Sequence, residues 1–459
     1  MNRRKFIKTI GIAGISTLMY QNIQAIETKQ KPNFIFIFTD DQGYQDLSCY
    51  GSPTIKTPNI DKMAAEGTKF TSFYAQTVCG PSRAALMTGC YPNRVMRTVN
   101  IQSDWFIKSD ELTIAEVLKT RGYATGCIGK WDLSCRNYVE GQTPLDQGFD
   151  YYYGPLTHTD NGPVKIWENN KNTKVKLDRK VVTKQYTDKA INFIEKNKNN
   201  PFFLYFPHTM PHTELGATEQ FRKGSTDKKT LYRDVMHEID WNVGRILDAV
   251  KKAGIDNNTY IVFTSDNGPA KGSALPLRGK KGSSWEGAVR VPCIMRAPGK
   301  IPAGKVCNEL ISTLDILPTF AALAGAATPN DRIIDGKDQT PMITGQSAKS
   351  AQNTFYYYVY DNLHAVREGK WKLILTSRKR FYRYTKERKA LKSPELYDLE
   401  NDVSETTDVS AKNPDIVKQL LTLAENVRED IGDMDIVGKN TRLPVFKKSK
   451  RPPKYLIAE

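Results

Sequence analysis

Four short runs along the chain are apolar at nearly every position, and each stops abruptly at a polar cluster. Asn33 to Thr39 runs into Asp40-Asp41, and Tyr123 to Gly129 into Lys130-Trp131-Asp132. Phe202 to Phe206 runs into Pro207-His208 and Pro211-His212, and Thr259 to Ser265 into Asp266-Asn267-Gly268. Runs rich in β-branched and aromatic residues, closed by turn formers, predict strands. Between them, Leu112 to Arg121, Gln185 to Lys196 and Leu231 to Lys252 carry apolar residues at helical spacing. Strands alternating with helices predict an α/β fold, a parallel sheet with helices on both faces. After a loop near 339–353 the pattern changes. Thr354 to Tyr360, His364 to Arg367 and Trp371 to Leu375 read as a small antiparallel sheet. Asn413 to Glu429 reads as one amphipathic helix with Ile416, Leu420, Leu421, Leu423 and Ala424 on its apolar side.

In a parallel sheet, ligands sit beyond the carboxyl ends of the strands. All four polar clusters fall there. Singly, each reads equally well as a cap or a turn; together they converge on one site. Asp40, Asp41, Asp266 and Asn267 offer the hard oxygens that Ca²⁺ or Mg²⁺ takes. Two adjacent carboxylates at a buried strand end repel unless a cation joins them. Arg83, Lys130 and Lys281 could clamp an oxyanion against that cation, and His212 could protonate a leaving group.

The stretch TVCGPSRAALMTG, Thr77 to Gly89, adds a thiol. Pro81 suits the first turn of a helix and Gly89 its end, which puts Cys79 at the N-terminus, where backbone N–H groups attract anions. Arg83 follows one turn later. A nucleophile aimed at an anionic group fits this position; so does a buried structural cysteine or half of a disulfide. Soft sulfur beside a hard cation is poor coordination chemistry.

Composition narrows the partners. The 459 residues carry a formal charge of +17. Met1 to Ala25 has the anatomy of an export signal: a basic start, a short apolar core and a small residue for cleavage. Arg3-Arg4-Lys5-Phe6-Ile7-Lys8 resembles a twin-arginine signal, with the general route also open. Removing Arg3, Arg4, Lys5 and Lys8, with no acids, leaves 17 − 4 = +13. That bias favours polyanions: nucleic acid, acidic membranes or acidic polysaccharide. Export makes nucleic acid the least favoured, and no cysteine follows the apolar core to take a lipid. A free protein outside the cytoplasm, periplasmic or secreted, is expected. Of the seven cysteines (Cys49, Cys79, Cys90, Cys127, Cys135, Cys293, Cys307), an odd Cys79 would leave six for up to three bridges.

These residues resemble the type I sulfatases. Cys79-Gly80-Pro81-Ser82-Arg83 with Thr88-Gly89 matches the signature at which that family modifies a cysteine. Asp40-Asp41, Gly129-Lys130-Trp131, Pro211-His212, Ser265 to Gly268, Gly279 to Gly282, Trp285-Glu286-Gly287, Thr313 to Thr319 and Glu395 to Leu399 follow in the family's order. The match runs from about Lys31 to Asp408.

The resemblance implies an alkaline phosphatase-like fold: a large mixed, mostly parallel sheet and a smaller C-terminal α+β domain with an antiparallel sheet. With the export signal over 1–25, the chain is expected to divide into a catalytic domain over 31–345 and a C-terminal subdomain with one helix and a basic tail over 346–459. Cys79 would be oxidised by a formylglycine-generating enzyme to an aldehyde that hydrates to a geminal diol. Asp40, Asp41, the modified Cys79, Asp266 and Asn267 would bind one Ca²⁺. One diol hydroxyl would attack the sulfur of a sulfate ester, and the second would later expel sulfate. Arg83 and Lys130 would orient diol and sulfate, His212 would be the leaving-group acid, and Lys281 would hold a sulfate or ester oxygen. His208 fits lining the pocket and a structural place alike. One position departs from the family: Asp132 stands where a histidine base is usual, as a substituted base or as the mark of a step handled elsewhere or impaired.

Export, charge and a cleft for sulfate esters favour a sulfated polysaccharide or oligosaccharide. Loops such as Val95 to Glu111 and Tyr151 to Leu177 would line the pocket. The run Arg378 to Tyr384, cations interleaved with aromatics, could stack on sulfated sugars or guard an edge strand. The rival readings are a phosphoesterase of the same superfamily and a polyanion-binding homologue that has lost catalysis.

Overall fold

The computed structural model describes residues 30–96, 98, 106–134, 141–157, 159, 164–222, 227–376, 391–434 and 436–444. The basic leader, Cys135, the Arg378 to Tyr384 run, the basic tail and parts of both pocket loops lie outside the described residues.

The main sheet takes strands β1 (Asn33–Thr39), β2 (Thr68–Tyr74), β3 (Ala124–Ile128), β4 (Tyr151–Gly154), β5 (Lys165–Glu168), β6 (Lys171–Lys176), β7 (Phe202–Pro207), β8 (Thr259–Ser265), β9 (Arg290–Arg296), β10 (Lys305–Cys307) and β11 (Ile311–Ser312). Their order is β10-β2-β9-β8-β1-β7-β3-β4-β5-β6, with β11 also on β2. The central strands β8, β1, β7, β3 and β4 are mutually parallel, while β9, β5 and β6 pair antiparallel with their neighbours. The sheet is mixed and mostly parallel.

β1 shows why its sequence is apolar throughout. Phe34, Phe36 and Phe38 face one core and Ile35 and Ile37 the other, as period-two alternation requires of a strand covered on both sides. Helices α1 (Pro58–Ala65), α2 (Cys79–Thr88), α3 (Ile114–Lys119), α4 (Val182–Asn197), α5 (Lys228–Lys252) and α6 (Ile316–Ala324) supply the covers. Residues of α2, α3 and α6 join the phenylalanine face, those of α1, α4 and α5 the isoleucine face. No helix among the described residues is long and apolar enough to cross a membrane.

The C-terminal region builds an antiparallel sheet of β12 (Thr354–Val359), β13 (Asn362–Glu368), β14 (Trp371–Ile374) and β15 (Glu395–Asp398), covered by α7 (Pro414–Asp430). Its core is shared with the catalytic region. Phe355, Tyr357 and Leu373 pack in one cluster with Tyr74, Trp285 and Leu314.

No disulfide joins the described cysteines, although six were available for up to three bridges if Cys79 stood apart. Cys49, Cys79, Cys90, Cys127, Cys293 and Cys307 are all free. The sheet shows one reason. Cys293 on β9 and Cys307 on β10 both pair with Phe70, from opposite sides of β2. Two strand spacings separate their Cα atoms by about 9.6 Å, beyond the roughly 7 Å a disulfide can span.

Candidate functional site

Register brings the polar clusters together. Thr39 lies opposite Ser265, Phe38 opposite Pro207, and Cys127 opposite Tyr205. The carboxyl ends of β8, β1, β7 and β3 therefore stand side by side, carrying Asp266-Asn267, Asp40-Asp41, His208 with His212, and Lys130 with Asp132. Gly129 permits the last of these: at φ 131°, a Cβ there would lie 1.7 Å from the Pro207 carbonyl oxygen. That carbonyl accepts the Lys130 N–H at 2.8 Å. Asp41 and Asp132 both take left-handed backbone, φ 66° and 58°, which non-glycine residues adopt at some cost.

Helix α2 aims Cys79 into this rim from its first position. It stops where expected, at Gly89 in the left-handed region, whose N–H bonds to the Ala85 carbonyl. Val78 provides no side-chain cap, and the Ser82 hydroxyl instead accepts from the Gln76 N–H at 2.9 Å. The Cys79 thiol lies 3.3 Å from Asp40 Oδ1, 3.8 Å from Asp41 Oδ1 and 3.1 Å from Lys281 Nζ. Ligand atoms of Asp40, Asp41, Cys79 and His212 all fall within 4.8 Å of one another, and all four residues are buried.

The cations interleave with these acids. Arg83 reaches Asp266 Oδ2 at 2.8 Å, Asp40 Oδ2 at 3.6 Å and the Lys130 carbonyl at 2.7 Å. Lys130 Nζ sits 2.9 Å from Asp40 and 3.3 Å from Asp132. Lys281 Nζ is 2.5 Å from Asp41 Oδ1. Asn267 donates to Asp41 Oδ1 at 2.7 Å, and the Asp41 N–H donates to Asp266 Oδ1 at 3.1 Å. His212 faces Asp41 Oδ2 with Nε2 at 3.6 Å, and its Nδ1 lies against the Thr213 carbonyl at 2.5 Å. A carbonyl only accepts, so Nδ1 carries the proton.

Burial would raise the Asp40 carboxyl, but Lys130, His212, Arg83 and Lys281 outweigh it and hold Asp40 far below the usual carboxylate range. Burial and the neighbouring Asp40 lift Asp266 to about 6 against the pull of Arg83. Burial, Asp266 and Asp40 push the Cys79 thiol well up. The side chain is thus a protonated thiol, a weak nucleophile and a poor partner for a hard cation. An oxygen species at the same position would suit both tasks.

The donor set fits a hard divalent cation. Asp41 Oδ2 and Asn267 Oδ1 are buried with no hydrogen-bond donor, and buried acceptors without partners are costly. Asp40, Asp41, Asp132 and Asp266 bring four negative charges against three positive ones on Arg83, Lys130 and Lys281. An anionic ester entering that field would meet net repulsion; a dication reverses the sign.

His208 stands apart from this constellation. It is 1% exposed, packs on the Phe206 ring at 4.5 Å, and neither ring nitrogen has a hydrogen-bond partner among the described residues. Burial lowers it to about 3, so it is a neutral core imidazole. Sequence reasoning passed over Gln42 and gave Ser265 no role of its own. The Gln42 N–H donates to Ser265 Oγ at 3.0 Å, and Thr39 Oγ1 donates to Gln42 Oε1 at 2.9 Å. These bonds brace the turn that carries both aspartates. Their adjacency to the acids was the available signal.

A buried acid pair, interleaved cations and a helix-borne nucleophile position at the carboxyl ends of a mostly parallel sheet suit the hydrolysis of anionic esters. Comparison with known proteins specifies the class. The Sulfatase family matches residues 32–326, and the family described as N-sulphoglucosamine sulphohydrolase, C-terminal, matches 280–430. An arylsulfatase of Hemicentrotus pulcherrimus is 38% identical over 372 residues, covering 74% of this chain and 67% of that one. An N-acetylgalactosamine-6-sulfatase of Canis lupus familiaris is 36% identical over 379 residues, covering 75% and 71%. A solved structure of Ps i-CgsB in complex with k-i-k-neocarrahexaose is 31% identical with TM-score 0.75, covering 86% of this chain and 92% of that one. The chain belongs to the formylglycine-dependent, type I sulfatases of the alkaline phosphatase-like superfamily, and it is a sulfatase by class.

Proposed function

We propose that the protein is an exported sulfatase that removes sulfate esters from a polysaccharide or oligosaccharide, with Cys79 matured to formylglycine and one Ca²⁺ held by Asp40, Asp41, Asp266, Asn267 and the matured residue. The observation that carries this reading is the convergence of Asp40, Asp41, Cys79 and His212 within 4.8 Å at the end of the sheet. Bound there, the ion would draw charge from the sulfate oxygens, and the hydrated aldehyde would supply an oxygen nucleophile able to shed sulfate afterwards.

The remaining roles fall to this chain's own side chains. Arg83, spent on Asp266 and Asp40, holds the acid cluster in place. Lys130 and Lys281 present ammonium groups to the sulfate oxygens in a dry site, where preorganised charge acts strongly. His212, with its Nδ1 proton held by the Thr213 carbonyl, protonates the departing alcohol from Nε2 once it is cationic beside Asp41. Asp132 Oδ2 faces Lys130 at 3.3 Å without a hydrogen bond and accepts a proton as sulfate leaves.

Support for a glycan substrate comes from the mature charge of +13, from the export signal and from the carbohydrate bound in the structure of Ps i-CgsB. The test is expression with a formylglycine-generating enzyme, mass spectrometry of the Cys79 peptide and sulfate release from a panel of sulfated glycans. Aldehyde at Cys79 with sulfate release is expected. Phosphate release from phosphate esters assayed alongside, with Cys79 unmodified, would establish a phosphoesterase instead, and glycan binding with no release would establish a binding protein.

A further inference from the structure

The hairpin β5–β6 at one end of the main sheet concentrates positive charge. Residues 165–180 hold Lys165, Lys171, Lys174, Lys176, Arg179 and Lys180 against Glu168 and Asp178, a local balance of 6 − 2 = +4. Glu168 is already committed, to Lys189 Nζ and the Tyr151 hydroxyl, each at 2.7 Å. Lys165, Lys171, Lys174, Lys176 and Lys180 are all exposed and have no ion pair among the described residues. Lys165 pairs directly across the strands with Lys176. Like charges directly opposite one another destabilise a ladder, so this pairing runs against the hairpin's own stability.

Topology places that repulsion on the catalytic rim. β5 runs antiparallel to β4, with Trp167 opposite Gly154, the last residue of β4. Lys165 and its partner Lys176 therefore lie beyond the carboxyl end of β4. The chain leaving β4 adjoins the Lys130 loop, where the Trp131 N–H donates to the Pro155 carbonyl and the Asp132 N–H to the Leu156 carbonyl. On the other side the patch reaches the loop of His212. Arg179 contacts Glu214 at 3.7 Å, and a Cβ on Gly216 would lie 2.6 Å from the Arg179 carbonyl.

We infer that the Lys165–Lys180 segment is a docking rail for the sulfated glycan chain, extending from the side of the site where the alcohol departs. This rests on the proposed glycan sulfatase activity and on His212 as its leaving-group acid. A polymer bearing sulfates on successive sugars would lay its next anionic groups along Lys165, Lys176 and Lys174 and relieve their repulsion. Charges at the rim of a site act mainly through encounter rate and salt dependence. The rail therefore distinguishes polymers from small esters without touching the reacting atoms.

The test compares the mature wild-type protein with K165Q/K174Q/K176Q, whose three sites are solvent-exposed. Retention on immobilised heparin reads the surface without turnover, and the KM for a sulfated polysaccharide and for 4-nitrophenyl sulfate reads it during catalysis. The expected result is earlier salt elution and a KM for polymer raised about fivefold more than that for the small ester, at low ionic strength. Equal elution, or equal effects on the two substrates, would overturn the rail. So would aggregation of the variant with undiminished heparin binding, because the lysines would then only guard an edge strand. Duplex DNA and anionic vesicles run beside heparin; binding to either that matches heparin and is equally lost would overturn the commitment to glycan. A wild type that releases no sulfate from either ester yet loses heparin binding on mutation would sink the activity and keep the surface.

Discussion

Two buried charge clusters among the described residues differ in how completely they are paired, and only one of them holds the candidate site. At the sheet's carboxyl ends, Asp40, Asp41, Asp266, Arg83, Lys130 and Lys281 interlock but leave Asp41 Oδ2 and Asn267 Oδ1 without donors. Between the catalytic region and the C-terminal sheet lies a second cluster, equally dry. Glu286 Oε1 there accepts from Tyr357 at 2.8 Å and Lys372 at 3.1 Å, and Oε2 accepts from the Tyr74 hydroxyl with Arg290 at 3.6 Å. Lys372 also meets Glu405 at 2.6 Å, and Glu405 Oε2 accepts the Glu286 N–H at 2.8 Å. Every oxygen of Glu286 is answered. Glu405 Oε1 has no hydrogen bond but faces the Lys372 ammonium at 2.6 Å, whereas Asn267 Oδ1 and Asp41 Oδ2 have no such close cation among the described residues.

The two clusters are linked in sequence. Glu286 follows Lys281 by five residues. Arg278, at the other end of that loop, accepts the Gly287 N–H through its carbonyl at 2.7 Å and donates to the Glu405 carbonyl at 2.9 Å. The closed cluster anchors the loop that presents Lys281 to the open one.

Breaking the open cluster should cost activity and little stability. Cys79→Ala is expected to lower sulfate release at least about 10⁴-fold, with a melting temperature close to wild type by calorimetry. Breaking the closed cluster should do the reverse. Lys372→Ala leaves Glu286 and Glu405 buried without their shared cation, an expected loss of about 4 kcal/mol in urea unfolding. Adding Glu286→Gln should recover part of it, because the two residues are coupled.

Acidity sharpens the contrast. Burial and Glu286 raise Glu405 to about 7 despite Lys372, whereas Lys372, Arg290 and Arg367 overcome burial to hold Glu286 near 2. An acid whose folded pKa is raised binds its proton more tightly when folded. Its stabilisation is complete below about pH 4.5 and is lost as pH rises through about 7. Stability should thus fall by about 3 kcal/mol between pH 5 and 8 from this group. Glu405→Gln should flatten that slope in a pH series of melting curves. Glu286 acts in the opposite sense, its contribution lost only as pH falls from about 4.5 through about 2. The smallest expected effect belongs to the open cluster's odd position. Asp132→Asn should lower kcat about 100-fold, equivalent to about 2.7 kcal/mol, with KM little changed; Asp132→His should restore much of it.

The boundary between what could be read and what could not follows interaction range. Apolar runs ending in polar clusters, the Gly89 stop and the position of Cys79 at a helix start were legible because period, caps and turn chemistry are local. The strands Asn33–Thr39 and Thr259–Ser265 lie where the pattern put them. Membership of the sulfatases was legible too, since a short modification motif and its companions occur in order.

Other features required the folded chain. That Arg83 is spent on Asp266, 183 residues away, comes from strand register. That Cys293 and Cys307 do not pair with each other comes from β2 lying between them. That His208 is a core imidazole while His212 faces the acids comes from how the chain turns after β7. Neither Glu286 nor Lys372 shows from its neighbours in sequence that they share a dry interface with Glu405. Local pattern sets which residues can form a strand end or a helix start. The partner of each charge is chosen only when packing excludes water, because Coulomb attraction between distant residues becomes strong and selective only there.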